Sequence, residues 1–263
     1  MEELRRKIEK FLESHKGRWG IIIIDQSTQD RLEINPHMVF PAASMIKVPI
    51  MYEIMEQAAA GMINLENSLI VTKNVCVGGA GILCELRPGI TMTIRELVTL
   101  MIILSDNTAT NMLIDLVGMD AVNNRMTSLG LRSTVLRRQM MDFDAARAGN
   151  ENSTCAADLA LLFESIAGKA HLSQEYGTQM MDILKRQQVR DKLPFYLPEE
   201  IILAHKTGTL PGVEHDGGVL FLPRGSYAIY VLTADLEANY QGLQVVACIG
   251  KIIYDHFSSD NCL

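Results

Sequence analysis

Four consecutive isoleucines, Ile21 to Ile24, lie inside the run Trp19–Asp25, and sequence of this kind does not return until Ile201. An unbroken β-branched run suits a central strand covered on both faces, because a strand with one wet face would alternate apolar and polar residues. A second strand is predicted over residues 31–35. Between Ser44 and about Gln187 the periodicity is helical, with Leu69–Thr72 as the one strand candidate. Thr93-x-x-Glu96 reads as a capping box opening a helix that carries Leu97, Leu100, Met101 and Leu104. After Pro198, strands are predicted over 201–209, 218–222 and 227–234, separated by Pro/Gly turns. Helices are expected at both ends, over 1–16 and 238–256; the latter carries Leu243, Val246, Ile249 and Ile253 at helical spacing.

This order is not the βαβ alternation of a doubly wound sheet. It predicts a two-lobed α+β fold: an antiparallel sheet flanked by N- and C-terminal helices, with an inserted all-helical lobe. The expected division is residues 1–40 with 195–263 for the α/β lobe and 41–194 for the helical lobe. The active site is then expected in the crevice between them.

Composition narrows the functions. The chain has 263 residues, 48% hydrophobic and 21% charged, which is globular rather than disordered. A net charge of −7 offers no basic face for nucleic acid or an anionic membrane. The longest apolar runs fall short of the roughly 20 residues that span a bilayer. The opening Met1-Glu2-Glu3-Leu4-Arg5-Arg6-Lys7 leads into an amphipathic helix, not the apolar core of a secretory signal. The expectation is a cytoplasmic protein, or an extracytoplasmic one if a leader has been removed. Five cysteines without metal spacing and six scattered histidines predict no metal and no cofactor. Cys76 and Cys84 can pair, but free and mostly buried thiols are expected.

Three short motifs carry the chemistry: Ser44-Met-Ile-Lys47, Ser105-Asp106-Asn107 and Lys206-Thr207-Gly208. Singly they mean little. A Ser-x-x-Lys arises about once by chance in a chain of this length, and Ser259-Asp260-Asn261 near the C-terminus is a second, chance copy of the middle motif. Their order and context mean more. Ser44 and Lys47 share a helix face, and Phe40-Pro41-Ala42-Ala43 places Ser44 in a first helical turn, where unpaired N–H groups favour developing negative charge. Lys47 can act as a base only when neutral, so burial and a second cation, Lys206, are expected to depress its pKa. Ser105 is then a proton relay to the leaving nitrogen, Asn107 a partner for the substrate amide, and Asp106 an internal brace. Lys206 and Thr207 supply charge and hydroxyl for a substrate carboxylate, and Gly208 permits close approach. The N–H groups of Ser44 and Thr209 form the expected oxyanion hole.

On these residues the chain resembles the class A β-lactamase-type serine hydrolases over nearly its whole length; the three motifs are the signature of penicillin-recognising enzymes. Gly79–Leu83, Ser105–Asn111 and Gln187–Pro194 extend the likeness. The resemblance implies a β-lactamase/transpeptidase-like fold and a small-molecule substrate that is a β-lactam or an acyl-D-amino-acid-like amide. It also implies an acyl-enzyme on Ser44, hydrolysed by a water that a loop glutamate activates.

Two departures follow. Laying Arg138 on the family's loop arginine and Thr154 on its closing threonine puts Met140 where that glutamate belongs. A thioether cannot activate water. Asp142 is the candidate substitute base, with Asp144 and Glu151 nearby. No arginine follows closely on Lys206-Thr207-Gly208; Glu214, His215 and Asp216 stand there instead. Three readings remain open: a β-lactamase-like hydrolase with doubtful deacylation, a D,D-peptidase, amidase or esterase of the same fold, and an acylated penicillin-binding sensor without turnover. The oligomeric state is not specified.

Overall fold

The computed structural model describes residues 1–169 and 172–258; Ser259-Asp260-Asn261 and Cys262 lie outside them. The first elements are α1 (Glu2–Leu12), β1 (Arg18–Asp25), β2 (Arg31–Ile34) and a short β3 (Phe40–Pro41). A 3₁₀ turn (Ala43–Ile46) then leads into α2 (Lys47–Ala59). The middle of the chain holds β4 (Ser68–Val71), β5 (Ile90–Thr93), α3 (Ile94–Ile103), α4 (Asn107–Val117) and α5 (Met119–Ser128). It continues through α6 (Phe143–Arg147), β6 (Ser153–Thr154), α7 (Ala156–Glu164) and α8 (Gln174–Lys185). The chain then returns to β7 (Ile202–Leu210), β8 (Val213–Leu222), β9 (Gly225–Ala234) and α9 (Asn239–Ser258).

The main sheet has strand order β2-β1-β9-β8-β7, and every neighbouring pair is antiparallel. β1 pairs with a strand on each side, and its isoleucines find apolar cover on both faces of the sheet. Successive side chains of a strand point to opposite faces. Ile21 and Ile23 enter a core with Leu4 and Ile8 of α1 and Val246, Ile249 and Ile253 of α9. Ile22 and Ile24 enter the larger core on the other face, with Phe40, Met45, Tyr52 and Tyr230. Each such buried side chain contributes roughly 1.5–3 kcal/mol. The fold is thus α+β, with terminal helices on one sheet face and the helical block on the other. Helix α2 runs through that block and is buried on nearly every side, from Lys47 through Met55.

The capping box at Thr93 forms as predicted: its side chain accepts from Glu96 N, and Glu96 reaches back to Thr93 N. Several bounds move. The first helix ends at Leu12 rather than 16. Strands β5, β3 and β6, of two to four residues, were too short to leave a periodicity. β8 begins at Val213, so Glu214, His215 and Asp216, which resemble turn residues, lie buried within a strand. They tolerate burial because each has a partner: Glu214 with Lys192, Asp216 with His205, and His215 with the carbonyl of Pro41. The thiols are also less buried than expected. Cys76, Cys84, Cys155 and Cys248 are free, and of these only Cys155 is buried.

Candidate active site

β7 is the last strand of the sheet, so one of its edges faces the 3₁₀ turn that carries Ser44. The approach is close: a Cβ on Gly208 would lie 3.2 Å from Ser44 N and 3.1 Å from Ala43 Cβ, tighter than ordinary van der Waals contact. Ser44 therefore lies on the 3₁₀ turn just ahead of α2, and Lys47 is the first residue of the helix proper. The non-glycine residues Ala43, Ser105 and Met141 hold φ of 46°, 56° and 67°. Each such residue costs about 1–3 kcal/mol; Gln29, Asn35 and Asp235 hold positive φ elsewhere in the fold.

The amino group of Lys47 is fully buried and donates to Ser105 O at 2.6 Å, Ser105 Oγ at 3.0 Å and Asn107 Oδ1 at 2.9 Å. From the sheet side Lys206, also fully buried, donates to Ser105 Oγ at 3.1 Å and to Thr207 O at 2.8 Å. Residues 58 to 159 positions apart thus meet around one hydroxyl. Burial pushes Lys47 down to about 7, opposed by the charge of Asp106. Burial also holds Lys206 well below the usual lysine range, with the charges of Lys47 and Lys192 adding to it and Asp216 opposing. The expected depression of Lys47 is present, and desolvation is its main cause.

Asp106 is the brace of this wall. Its Oδ1 caps α4 through Ala109 N at 2.8 Å, while Oδ2 accepts from Ile82 N at 2.6 Å and Leu83 N at 2.9 Å. Asn107 closes the same loop: its N–H donates to Ala80 O and its Nδ2 to Gly78 O. One amide hydrogen of Asn107 remains for a ligand.

Ser44, Asn107 and Thr209 line a cavity of about 480 Å³. Ala43, Gly79, Ala80, Met140, Met141, Phe143, Leu210 and Pro211 make most of the remaining wall apolar, and none of the described residues lining it carries a carboxylate. The loop behind Met140 is pinned by Arg138, which pairs with Glu151 at 2.8 Å, and by Asn152, whose Oδ1 accepts from the N–H groups of Arg137 and Arg138. Asn111 holds the backbone of Met140. The structure does not bring Asp142 to the cavity. That side chain is exposed at the N-terminus of α6 and accepts from Ala145 N at 2.9 Å, a local cap three residues away. Asp144 pairs with Arg147 on the surface.

Two residues without an assigned role from sequence also reach the site. Lys192, from the segment before β7, donates to Thr209 Oγ1 at 3.0 Å and pairs with Glu214 at 2.9 Å. Both side chains are almost wholly buried. No short-range signal marks this pair, because 22 positions separate it; the β7–β8 register sets Glu214 opposite Thr209, and the segment before β7 brings Lys192 to both.

Known proteins agree with this architecture. A chain of β-lactamase from Sphaerobacter thermophilus superimposes with a TM-score of 0.88 at 31% identity, covering 97% of each chain. A mutant of PBP-A, in an acyl-enzyme complex with penicillin G, does so at 0.88 and 28% identity over 98% of this chain and 97% of that one. β-Lactamase VEB-1 of Pseudomonas aeruginosa is 25% identical over 97% of this chain and 91% of its own length. A model described as the β-lactamase enzyme family matches residues 3–257. With these motifs gathered around one hydroxyl and this likeness over nearly its full length, the chain belongs to the β-lactamase enzyme family.

Proposed function

We propose that this protein is a serine hydrolase that forms an acyl-enzyme on Ser44 with β-lactam-like amides and releases the acyl group slowly. The observation that carries the reading is the sharing of Ser105 Oγ by Lys47 and Lys206 beside the cavity that Ser44 lines. Neutral Lys47 removes the proton from Ser44, whose oxygen attacks the substrate carbonyl. The N–H groups of Ser44 and Thr209 stabilise the oxyanion. A proton passes through Ser105 to the leaving nitrogen as the C–N bond breaks. Asn107 holds the substrate's amide, and Lys206 with Thr207 and Gly208 receives its carboxylate end. The apolar walls from Met141, Phe143 and Leu210 favour an apolar acyl substituent.

The slow second step rests on Met140. No carboxylate lines the cavity among the described residues, so nothing there activates water against the ester. The same observation favours a second reading, a D,D-peptidase, amidase or esterase, or a sensor that stays acylated. The likeness to PBP-A, a mutant of which was solved as an acyl-enzyme with penicillin G, supports acylation under either reading.

Mass spectrometry after incubation with penicillin G tests the proposal. One adduct per chain on Ser44, with a burst of one product equivalent before a slow steady state, is expected. An unmodified protein would remove it. Turnover of nitrocefin against a D-Ala-D-Ala peptide or a simple ester separates the hydrolase from the peptidase or esterase, and an adduct that persists without turnover of any of them marks the sensor.

A further inference from the structure

We propose that the buried Lys192–Glu214 ion pair is a positioning device that fixes Thr209 as an oxyanion-hole donor through the threonine hydroxyl. This rests on the acyl-transfer reading of the site. The pair does not touch the expected substrate position; it acts through one residue that does.

The three hydrogens of the Lys192 ammonium are directed at Glu214 Oε2 at 2.9 Å, Thr209 Oγ1 at 3.0 Å and, more loosely, Gly208 O at 3.4 Å. The Thr209 hydroxyl in turn donates to Glu214 Oε2 at 2.8 Å. Its oxygen therefore sits between a cation that donates to it and an anion that accepts from it, which leaves one side-chain orientation. The other carboxylate oxygen of Glu214 accepts from Asn239 Nδ2 at 2.7 Å, and Asn239 also binds Leu210 O at 2.8 Å and Gly212 N at 3.1 Å. Four chain segments are tied at one point: the stretch before β7, the end of β7, the start of β8 and the first residue of α9.

What they tie is the β7–β8 turn at the mouth of the cavity, where Thr209 is the exposed residue of a strand end that is otherwise buried through Gly208. β7 is paired with β8 as far as Leu210 but open on its other edge, and a shift of about 1 Å in a transition-state donor costs on the order of 100-fold in rate. An ion pair buried this completely is weak evidence of stabilisation, since apolar replacements of similar volume often fold as well. Its cost in desolvation is better accounted for by a geometric duty. The charge of Lys192 also bears on the site electrostatically, being among the cations that hold Lys206 below its usual range.

The test uses Lys192→Met with Glu214→Met, which removes both charges and avoids an orphaned one, Thr209→Val, which removes only the linking hydroxyl, and the three changes combined. Amide hydrogen exchange over residues 207–211 and the acylation rate constant at saturating penicillin G are read in each. The Lys192→Met/Glu214→Met protein is expected to melt cooperatively, exchange the β8-paired amides within residues 207–211 at least tenfold faster, and acylate about 10- to 100-fold more slowly with half-saturation unchanged. Thr209→Val is expected to show the same defect, and the combined protein no more than either. Wild-type exchange at 207–211 in a folded variant, or losses that simply multiply, would overturn the proposal. A wild-type protein that is never acylated would sink the functional reading alone; amide exchange would still decide whether the pair holds Thr209.

Discussion

Asn111 holds Met140 by both ends of its backbone: Met140 N donates to Asn111 Oδ1 at 2.8 Å, and Asn111 Nδ2 donates to Met140 O at 3.1 Å. The clamp depends on backbone atoms alone, so it is indifferent to the side chain at 140. Met140, held this way, lines the cavity wall.

Met140→Glu should therefore retain the loop geometry and place a carboxylate where water must be activated. General-base assistance is worth about 10²–10⁴-fold. The lifetime of a penicillin adduct on Ser44, followed by mass spectrometry, should shorten by that order while the acylation rate changes little. An unchanged lifetime would mean that the loop is not the deacylation site.

Asp142→Ala addresses the rival carboxylate. Its side chain caps α6, so loss of about 1 kcal/mol of stability is expected. The adduct lifetime should not move, because this side chain is absent from the cavity lining. Thermal unfolding and the same mass-spectrometric decay measure both.

The pH dependence of acylation follows from Lys47. Burial lowers this lysine to about 7, so its neutral, base-competent form grows as pH rises towards that value and dominates above it. The acylation rate should climb about tenfold per pH unit below 7 and level off above it. Stopped-flow measurements with a chromogenic β-lactam from pH 5 to 9 would show this. A flat profile would transfer the base role to another group.

Gly208→Ala inserts a methyl 3.2 Å from Ser44 N and 3.1 Å from Ala43 Cβ. Accommodating it takes a few tenths of an ångström of separation between β7 and the 3₁₀ turn. A stability loss of about 1–3 kcal/mol is expected, with acylation slowed at least tenfold because both supposed oxyanion donors lie at this contact. Denaturant titration alongside burst kinetics separates the two effects.

Phe143 is partly exposed on the apolar side of the cavity. Phe143→Ser should narrow the preference for phenylacetyl over acetyl donors by about 5- to 30-fold, the equivalent of roughly 1–2 kcal/mol of apolar contact. Comparing specificity constants for the two acyl groups checks it, and an unaltered ratio would place the acyl substituent elsewhere.

Features governed by neighbouring residues were legible from the chain alone. The isoleucine run announced a strand covered on both faces, Thr93 and Glu96 announced their helix start, and the element order announced the sheet with its helical insertion. Each depends on spacings of two to four residues, where backbone geometry translates pattern into structure directly. The three motifs were legible because their chemistry demands particular residue types in a particular order. Tertiary structure alone decided that Lys47 and Lys206 would share Ser105, that burial would set the lysine's basicity, and that Lys192 would find Glu214 beneath Thr209. It also decided that Asp142 would spend its carboxylate on its own helix. Such outcomes turn on strand register, desolvation and competition between near and distant partners, and none of these is a function of local sequence.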